Sequence, residues 1–377
     1  MKANDHNRTG LYVHVPFCVK KCPYCAFYSE PVGGHDPKHF VSAIIAEMDI
    51  YRTADISTIY IGGGSPSCLP VDTLTRLIEE SLRTFTKTQE FTVEVNPAQA
   101  SAELLKRLYK SGVNRLSIGA QSFSENELTT LGRLHGPDEI IDSVRRGRDA
   151  GFANISLDLI FAIPGSTPDS WRRSLDAGVA MGIEHISAYS LTYEKDTPLS
   201  RKKQSGTIDV IDEDVDRHMY ETTIDVLTAA GFDQYEISNF ARPGFQCEHN
   251  LGYWQNRPFI GLGPAAGSFF HGKRTMNIAN INAYLTAAES PKIAAETEKP
   301  SPQQIACETM VLGLRMTAGI DLEEFKNRTG FDAMQIFADP IRQNQRQGLI
   351  KIEDNRLHLT RKALPIADTV LCDFATI

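Results

Sequence analysis

Strand-like and helix-like segments alternate through the first two thirds of the chain, and this alternation constrains the fold more than any other feature. Apolar runs rich in β-branched residues predict six strands, at residues 11–15, 56–61, 91–95, 116–119, 155–160 and 185–190. The segments between and after them have helical spacing, at residues 37–51, 70–84, 101–111, 137–150, 168–181 and 212–230. Such units predict a parallel sheet wrapped by helices. Because eight units are needed to close a barrel, we expect an open, partial (βα)6 barrel.

The end of the chain has a different pattern. After a polar connector over residues 287–304, helices are predicted near residues 303–316, 321–329 and 333–347, and a hairpin with Asp354 and Asn355 at its turn. Helices followed by a hairpin predict a winged-helix-like domain, a common DNA-binding unit. This tail has no stripe of Lys and Arg, so we predict packing or partner docking and no contact with nucleic acid. The predicted domains are residues 1–235, 236–290 and 291–377.

The composition excludes several classes of protein. The chain has 377 residues, 41% of them hydrophobic and 23% charged, with a net charge of −8. These values are ordinary for a globular protein, and the chain has no excess of Lys and Arg of the kind that binds nucleic acid. No apolar run reaches the length of a membrane span, and the first residues lack the apolar core of a signal peptide. We therefore expect a cytoplasmic protein, in which clustered cysteines bind metal more often than they form disulfides.

Three cysteines, Cys18, Cys22 and Cys25, follow the first predicted strand within eight positions. A zinc site would need a fourth ligand, for which His14 is nearest, but His14 lies on the preceding strand. A disulfide would leave one thiol unpaired. A [4Fe–4S] cluster held by three thiolates leaves one iron open to a small molecule, and we favour this interpretation over zinc and disulfide.

Other unusual residues also follow predicted strands. The segment GGGSPS comes after the second strand, Glu94 ends the third, Gln121 follows the fourth and Asp158 lies within the fifth. Each alone is explained as well by a tight turn or a structural polar group. In parallel βα folds, however, the site lies where the carboxyl ends of the strands meet. Their shared position predicts that they form one site with the cysteines.

The spacing Cys-x3-Cys-x2-Cys resembles the signature of the radical S-adenosylmethionine (SAM) superfamily, in which the open iron binds SAM. The segments YVHVPFC, GGGSPS, VEVNP, RLSIGAQSF, LGRLH and LDLIFAIPG resemble, in order, motifs of oxygen-independent coproporphyrinogen III oxidase and its relatives. This resemblance implies that the cluster-bound SAM is contacted by Tyr12, Gly63 and Glu94. It implies that a second SAM site is lined by Gly64, Ser65, Gln121, Arg133 and Asp158. Ser65 stands where the family usually has Thr and keeps the hydroxyl.

Two features separate this chain from the oxidase. The oxidase motif continues with a further cysteine, where this chain has Phe27, as do the heme chaperones related to the oxidase. The segment HNLGYW resembles the heme-binding motif of those chaperones, which implies that heme is contacted by His249, Tyr253 and Trp254. An imidazole can ligate heme iron, and aromatic rings can pack on the porphyrin. Cys247 is a competing ligand. The residues alone favour a polar loop with core aromatics, and only the resemblance favours heme binding.

The resemblance therefore implies a protein that binds heme, a [4Fe–4S] cluster and SAM, and that delivers heme to an acceptor hemoprotein. The acceptor could be a protein associated with a membrane. An electron donor for the cluster is also implied. The alternative is a radical SAM enzyme that acts on a porphyrin, either decarboxylating coproporphyrinogen III or modifying heme.

Overall fold

The computed structural model describes residues 8–288 and 293–376. The strands, in chain order, are β1 (Thr9–Val15), β2 (Phe17–Cys18), β3 (Glu30–Pro31), β4 (Ile56–Gly63), β5 (Glu90–Val95), β6 (Arg115–Gln121), β7 (Ile155–Phe161), β8 (His185–Ser190), β9 (Asp233–Gln234), β10 (Asn239–Ala241), β11 (Phe259–Leu262), β12 (Gly267–Phe270), β13 (Lys273–Asn277), β14 (Ala294–Glu298), β15 (Ile320–Asp321), β16 (Ile350–Glu353) and β17 (Arg356–Leu359). The α-helices are α1 (Pro37–Ile50), α2 (Val71–Thr84), α3 (Ala102–Lys110), α4 (Glu125–Thr130), α5 (Pro137–Ala150), α6 (Pro168–Ala180), α7 (Pro198–Gln204), α8 (Glu213–Ala229), α9 (Glu248–Trp254), α10 (Ile281–Ala287), α11 (Pro302–Gly313), α12 (Leu322–Thr329), α13 (Ala333–Ile336), α14 (Ala338–Arg346) and α15 (Ala367–Cys372). None of the helices within residues 8–288 and 293–376 is long and apolar enough to cross a membrane.

The six predicted strands all form, as β1 and β4–β8, and they lie side by side in chain order with parallel pairing. Their ends, and those of the six predicted helices between and after them, agree with the prediction to within two residues. The strands are apolar on the faces that pack into the core; Leu11, Val13 and Val15 are fully buried. The sheet ends at β14 on one side and β9 on the other, so the described sheet is an open barrel. The predicted partial barrel is confirmed.

Later parts of the chain extend this sheet on both sides. β11 pairs in parallel with β1, and β12, β13 and β14 continue the sheet in antiparallel order. On the other side, β10 and β9 are antiparallel to β8. Within the predicted polar connector, residues 287–304, Ala294–Glu298 forms edge strand β14. Residues 289–292 of the connector lie outside the described residues. Most of β14 is exposed, so its sequence has no apolar alternation. The domain boundaries stay a prediction.

The end of the chain has its own core, built around Met310, Phe325, Phe337 and Leu357. The helices α11–α14 pack with a small sheet in which β15, β17 and β16 are neighbours. The third predicted helix is interrupted at Phe337, because Pro340 would clash with the carbonyl four residues earlier in a continuous helix. The predicted hairpin is confirmed, and both residues of its turn have positive φ, as a type I′ turn requires.

Candidate functional site

A cavity of about 980 Å³ lies at the carboxyl ends of the parallel strands. The three cysteines line it on one side, and residues 364–369 of the C-terminal part line it on the other. Most residues that the resemblance implies for SAM binding also line it, namely Gly63, Gly64, Ser65, Glu94, Gln121, Arg133 and Asp158. The fold therefore brings residues that are up to 140 positions apart, Cys18 and Asp158, to the same cavity.

The cysteine loop begins at β2 and is folded back by the pairing of β2 with β3. The backbone N–H of Cys25 donates to the carbonyl of Cys22 at 3.2 Å, and all three thiols are partly exposed. Burial raises the pKa of Cys18 to about 11, a hydrogen bond with Ser29 opposes the rise, and the charges of Cys68, Cys25 and Cys22 add to it. A raised pKa means that the thiolate form is disfavoured until a cation stabilises it, and the iron of a metal cluster would do so.

No three His, Cys, Asp or Glu side chains in the described ranges are close enough to hold a single metal ion. In a [4Fe–4S] cluster each thiolate binds a different iron, so the sulfurs need not converge on one point.

Three successive glycines, Gly62, Gly63 and Gly64, lie at the end of β4, and a larger residue at any of the three positions would clash with its neighbours. A Cβ on Gly62 would lie 2.7 Å from the carboxyl carbon of Glu94, and a Cβ on Gly64 would lie 2.6 Å from a backbone carbonyl of β2. Gly63 has a φ of +108°, and its Cβ would lie 2.3 Å from Nδ1 of His14. This turn aims the backbone N–H of Gly63 at Oε2 of Glu94, at 3.1 Å. The segment is therefore a tight turn and, at the same time, part of the cavity wall.

Two of the carboxyl groups in the cavity wall, those of Glu94 and Asp158, are the ones that the resemblance implies for SAM binding. Oε1 of Glu94 accepts a hydrogen bond from the Tyr60 hydroxyl at 2.9 Å. Burial, and then the charge of Asp158, raises the pKa of Glu94 to about 7. Asp158 accepts from Ser117 at 3.2 Å, and burial raises its pKa too. Such groups can accept hydrogen bonds from hydroxyls or neutralise a bound cation.

Gln121 and Arg133 line the wall nearest the cysteines. Gln121 ends β6 with a φ of 68°, an unusual conformation for a residue other than glycine. Nη2 of Arg133 donates to the carbonyl of Gly119 at 2.8 Å, and Nη1 lies 3.8 Å from Sγ of Cys22. Nε of Arg133 has no hydrogen-bond partner. The guanidinium therefore places a positive charge, with a donor to spare, beside the cysteine loop.

Two residues implied for SAM binding are engaged elsewhere. The hydroxyl of Ser65 donates to the side chain of Gln99 at 3.1 Å. Tyr12 is not among the residues that line the cavity. Its hydroxyl is hydrogen-bonded to Nδ1 of His14 at 3.0 Å, behind the glycine turn. A contact between Tyr12 and SAM stays a prediction.

His249 does not line the cavity. It is 3% exposed, with Nδ1 bonded to the Thr58 hydroxyl at 2.9 Å and Nε2 to the Tyr253 hydroxyl at 3.1 Å. Its ring stacks on that of Tyr60, 5.3 Å between centroids, and Tyr60 in turn donates to Glu94. Burial lowers the pKa of His249 to about 3, so the imidazole is neutral. The structure thus places His249 behind a wall residue of the cavity, with both ring nitrogens occupied.

Cys247 begins the helix that carries His249, and it is fully buried. The carboxylate of Glu90 accepts from the backbone N–H groups of Glu248 and His249 and from the Cys247 thiol. Burial raises the pKa of Cys247 to about 12, although nearby Arg115 opposes the rise. The thiolate that would ligate a metal is therefore strongly disfavoured at Cys247.

Tyr60, Arg115, Asn250 and Arg315 are among the cavity residues to which sequence reasoning gave no role. Tyr60 lies on the same face of β4 as Thr58 and Gly62, so the period of the strand could have placed it on the inner face. Asn250 stands inside the quoted segment HNLGYW, and Arg115 begins the quoted segment RLSIGAQSF, although no role was assigned to either. Arg315 belongs to no motif, and no sequence signal identifies it.

The fold and this cavity define the class: it is a radical SAM protein. Residues 12–177 match the model of the Radical SAM superfamily, and residues 301–366 match that of the HemN C-terminal domain. The chain is 35% identical to heme chaperone HemW of Lactococcus lactis subsp. lactis (strain IL1403), over 97% of each chain. It is 34% identical to heme chaperone HemW of Bacillus subtilis (strain 168), over 97% of this chain and 98% of that one. The chain therefore belongs to the HemW family.

One solved structure supports the fold. Coproporphyrinogen III oxidase (HemN) from Escherichia coli, described as a radical SAM enzyme, superposes with a TM-score of 0.84. The match covers 99% of this chain and 92% of the oxidase at 20% identity. At this identity the likeness shows a shared fold and leaves the activity open.

Proposed function

We propose that this protein is a heme chaperone that holds a [4Fe–4S] cluster with bound SAM and passes heme to an acceptor hemoprotein. The observation that carries the proposal is one cavity, lined by the cysteine loop, by the residues implied for SAM binding and by Asn250 of the HNLGYW segment. Its volume, about 980 Å³, is at the upper end of the range for small-molecule sites. Relatives over the full length are named heme chaperones.

Each part of the cavity has a role in this proposal. Cys18, Cys22 and Cys25 hold the cluster, which supplies an iron for SAM and a centre for electron transfer. The backbone at Gly63 and the carboxyl of Glu94 bind polar groups of SAM. Phe27 and the other non-polar residues of the loop restrict access of water to the thiolates. An electron donor would be needed to reduce the cluster.

His249 is the better of the two proposed heme ligands. Its imidazole is neutral, so a nitrogen lone pair becomes free once a hydroxyl partner leaves. The Tyr253 hydroxyl, 3.1 Å from Nε2, is the partner nearer the end of the helix. Cys247 would instead have to lose a proton at a pKa of about 12. The proposal therefore includes a local movement of α9 when heme binds, with Tyr253 and Trp254 against the porphyrin.

Heme titration of anaerobically reconstituted protein tests the proposal. We expect a saturable Soret band, followed by transfer of heme to an apo-hemoprotein that regains its own spectrum. A second sample, incubated with coproporphyrinogen III, SAM and a strong reductant, should contain no protoporphyrinogen by chromatography. Formation of protoporphyrinogen over many turnovers would instead establish an enzyme.

A further inference from the structure

Arg315 follows α11 and lies far in sequence from every motif, yet it lines the cavity. Its guanidinium packs on the ring of Trp254, with Cζ 4.5 Å from the ring centroid. Nη2 lies 3.6 Å from Oε2 of Glu236, a carboxyl that is fully buried. The backbone is fixed as well, because the carbonyl of Arg315 accepts from the N–H of Ile237 at 3.2 Å. The side chain is thus held in place by contacts from two directions.

The hydrogen-bonding capacity of this pair is not filled. Nε of Arg315 and Oε2 of Glu236 are both buried without a hydrogen-bond partner. Buried charged groups are ordinarily hydrogen-bonded, because an unpaired one costs the full penalty of desolvation. A guanidinium has five N–H donors in a planar fork that matches a carboxylate. The side chain of Arg315 is 23% exposed and lines the cavity, so the outer N–H groups of its guanidinium can donate to an anionic group there.

The cavity also offers apolar surface. Tyr189 and Ile366 both line it, and they are 41% and 36% exposed, so a ligand in the cavity can cover them. Asn250 adds an amide to the same cavity. A flat apolar molecule with a carboxylate at its edge would cover the apolar residues and pair with Arg315.

We propose that Arg315 binds a propionate carboxylate of heme, and that Trp254 is the positioning residue that holds the guanidinium for it. This inference rests on the proposed heme binding. The HNLGYW segment would then act on heme in two ways, through its own contacts and through Arg315, which Trp254 supports and which comes 61 positions later in the chain. SAM also carries a carboxylate, so the test must distinguish the two ligands.

The test compares hemin with its dimethyl ester, which lacks free carboxylates, by Soret titration. Wild-type protein should bind hemin about tenfold or more tightly than the ester, as expected for one charged hydrogen-bonded pair. Arg315→Gln should weaken hemin binding by the same factor and leave binding of the ester unchanged. Trp254→Leu should weaken the binding of hemin more than that of the ester, because hemin loses the support that Trp254 gives to Arg315 in addition to the contact with the porphyrin. Arg173→Gln is the matched control, since Arg173 is an exposed arginine on α6 that does not line the cavity, and it should change hemin affinity less than twofold.

Several outcomes would overturn the inference. Equal affinity of the wild type for hemin and ester would do so without any variant, and therefore even if Arg315→Gln fails to fold. Equal weakening of both ligands by Arg315→Gln would indicate packing, and weakened SAM binding with unchanged hemin binding would assign the arginine to SAM. If wild-type protein bound no heme at all, the proposed function would fail and this inference with it.

Discussion

Replacing His249 by Ala separates its packing role from its role as a heme ligand. The imidazole makes two buried hydrogen bonds, to Thr58 and Tyr253, each worth about 1 kcal/mol. Its stacking on Tyr60 adds about 1 kcal/mol. The free energy of unfolding of the chain without cluster and heme should therefore fall by about 3 kcal/mol, measured by urea denaturation. With heme added, the Soret band should shift or weaken.

His185→Ala is the matched control. His185 is also fully buried, with its two nitrogens bonded to Ser156 at 2.8 Å and to the Tyr235 hydroxyl at 2.9 Å. The control should lose a similar free energy of unfolding and keep the heme spectrum. An unchanged Soret band in His249→Ala would refute the ligand assignment. A loss of stability below about 1 kcal/mol would refute the packing argument.

Three further predictions concern the cavity wall. Replacing all three cluster cysteines by Ala should abolish the incorporation of about four irons per chain, measured by iron assay after reconstitution, whereas Cys372→Ala should not. Gly63→Ala should lower the free energy of unfolding by about 2 kcal/mol or more, because of its positive φ and the clash with His14, while Gly34→Ala, with nothing within 4 Å, should stay within about 0.5 kcal/mol. The pKa of Glu94, raised to about 7, means that its protonated form favours folding: this contribution is complete below about pH 4.5 and is lost as the pH rises through about 7. Urea denaturation across this range should therefore show a steeper loss of stability for the wild type than for Glu94→Gln, and parallel profiles would contradict the assigned pKa.

The barrel could be predicted from the sequence because each of its units is local. A strand such as β7 is apolar at five of its seven positions, and the helix that follows it, α6, begins at Thr167 and Pro168, which favour a helix start. The cysteine spacing is equally local, because the three ligands lie in a single loop. The order of the strands in the sheet could also be predicted, since successive parallel units are usually neighbours in the sheet.

The parts that the sequence did not reveal depend on contacts between distant residues. β11 pairs with β1 across about 250 positions, and nothing in the local pattern around Phe259–Leu262 indicates which strand it will join. The polar edge strand β14 has no apolar alternation, so only its partner β13 makes it a strand.

The same distinction applies to the candidate site. In the sequence, His249 was singled out by the resemblance of HNLGYW to a family motif, and an imidazole is able to ligate heme iron in any fold. Only the tertiary structure decided that its ring lies behind Tyr60, with both nitrogens bonded, because Thr58 comes from a strand 191 positions earlier. It also placed Arg315 on the ring of Trp254. Side-chain chemistry belongs to the residue, whereas burial, hydrogen-bond partners and access to a cavity belong to the packing of distant segments.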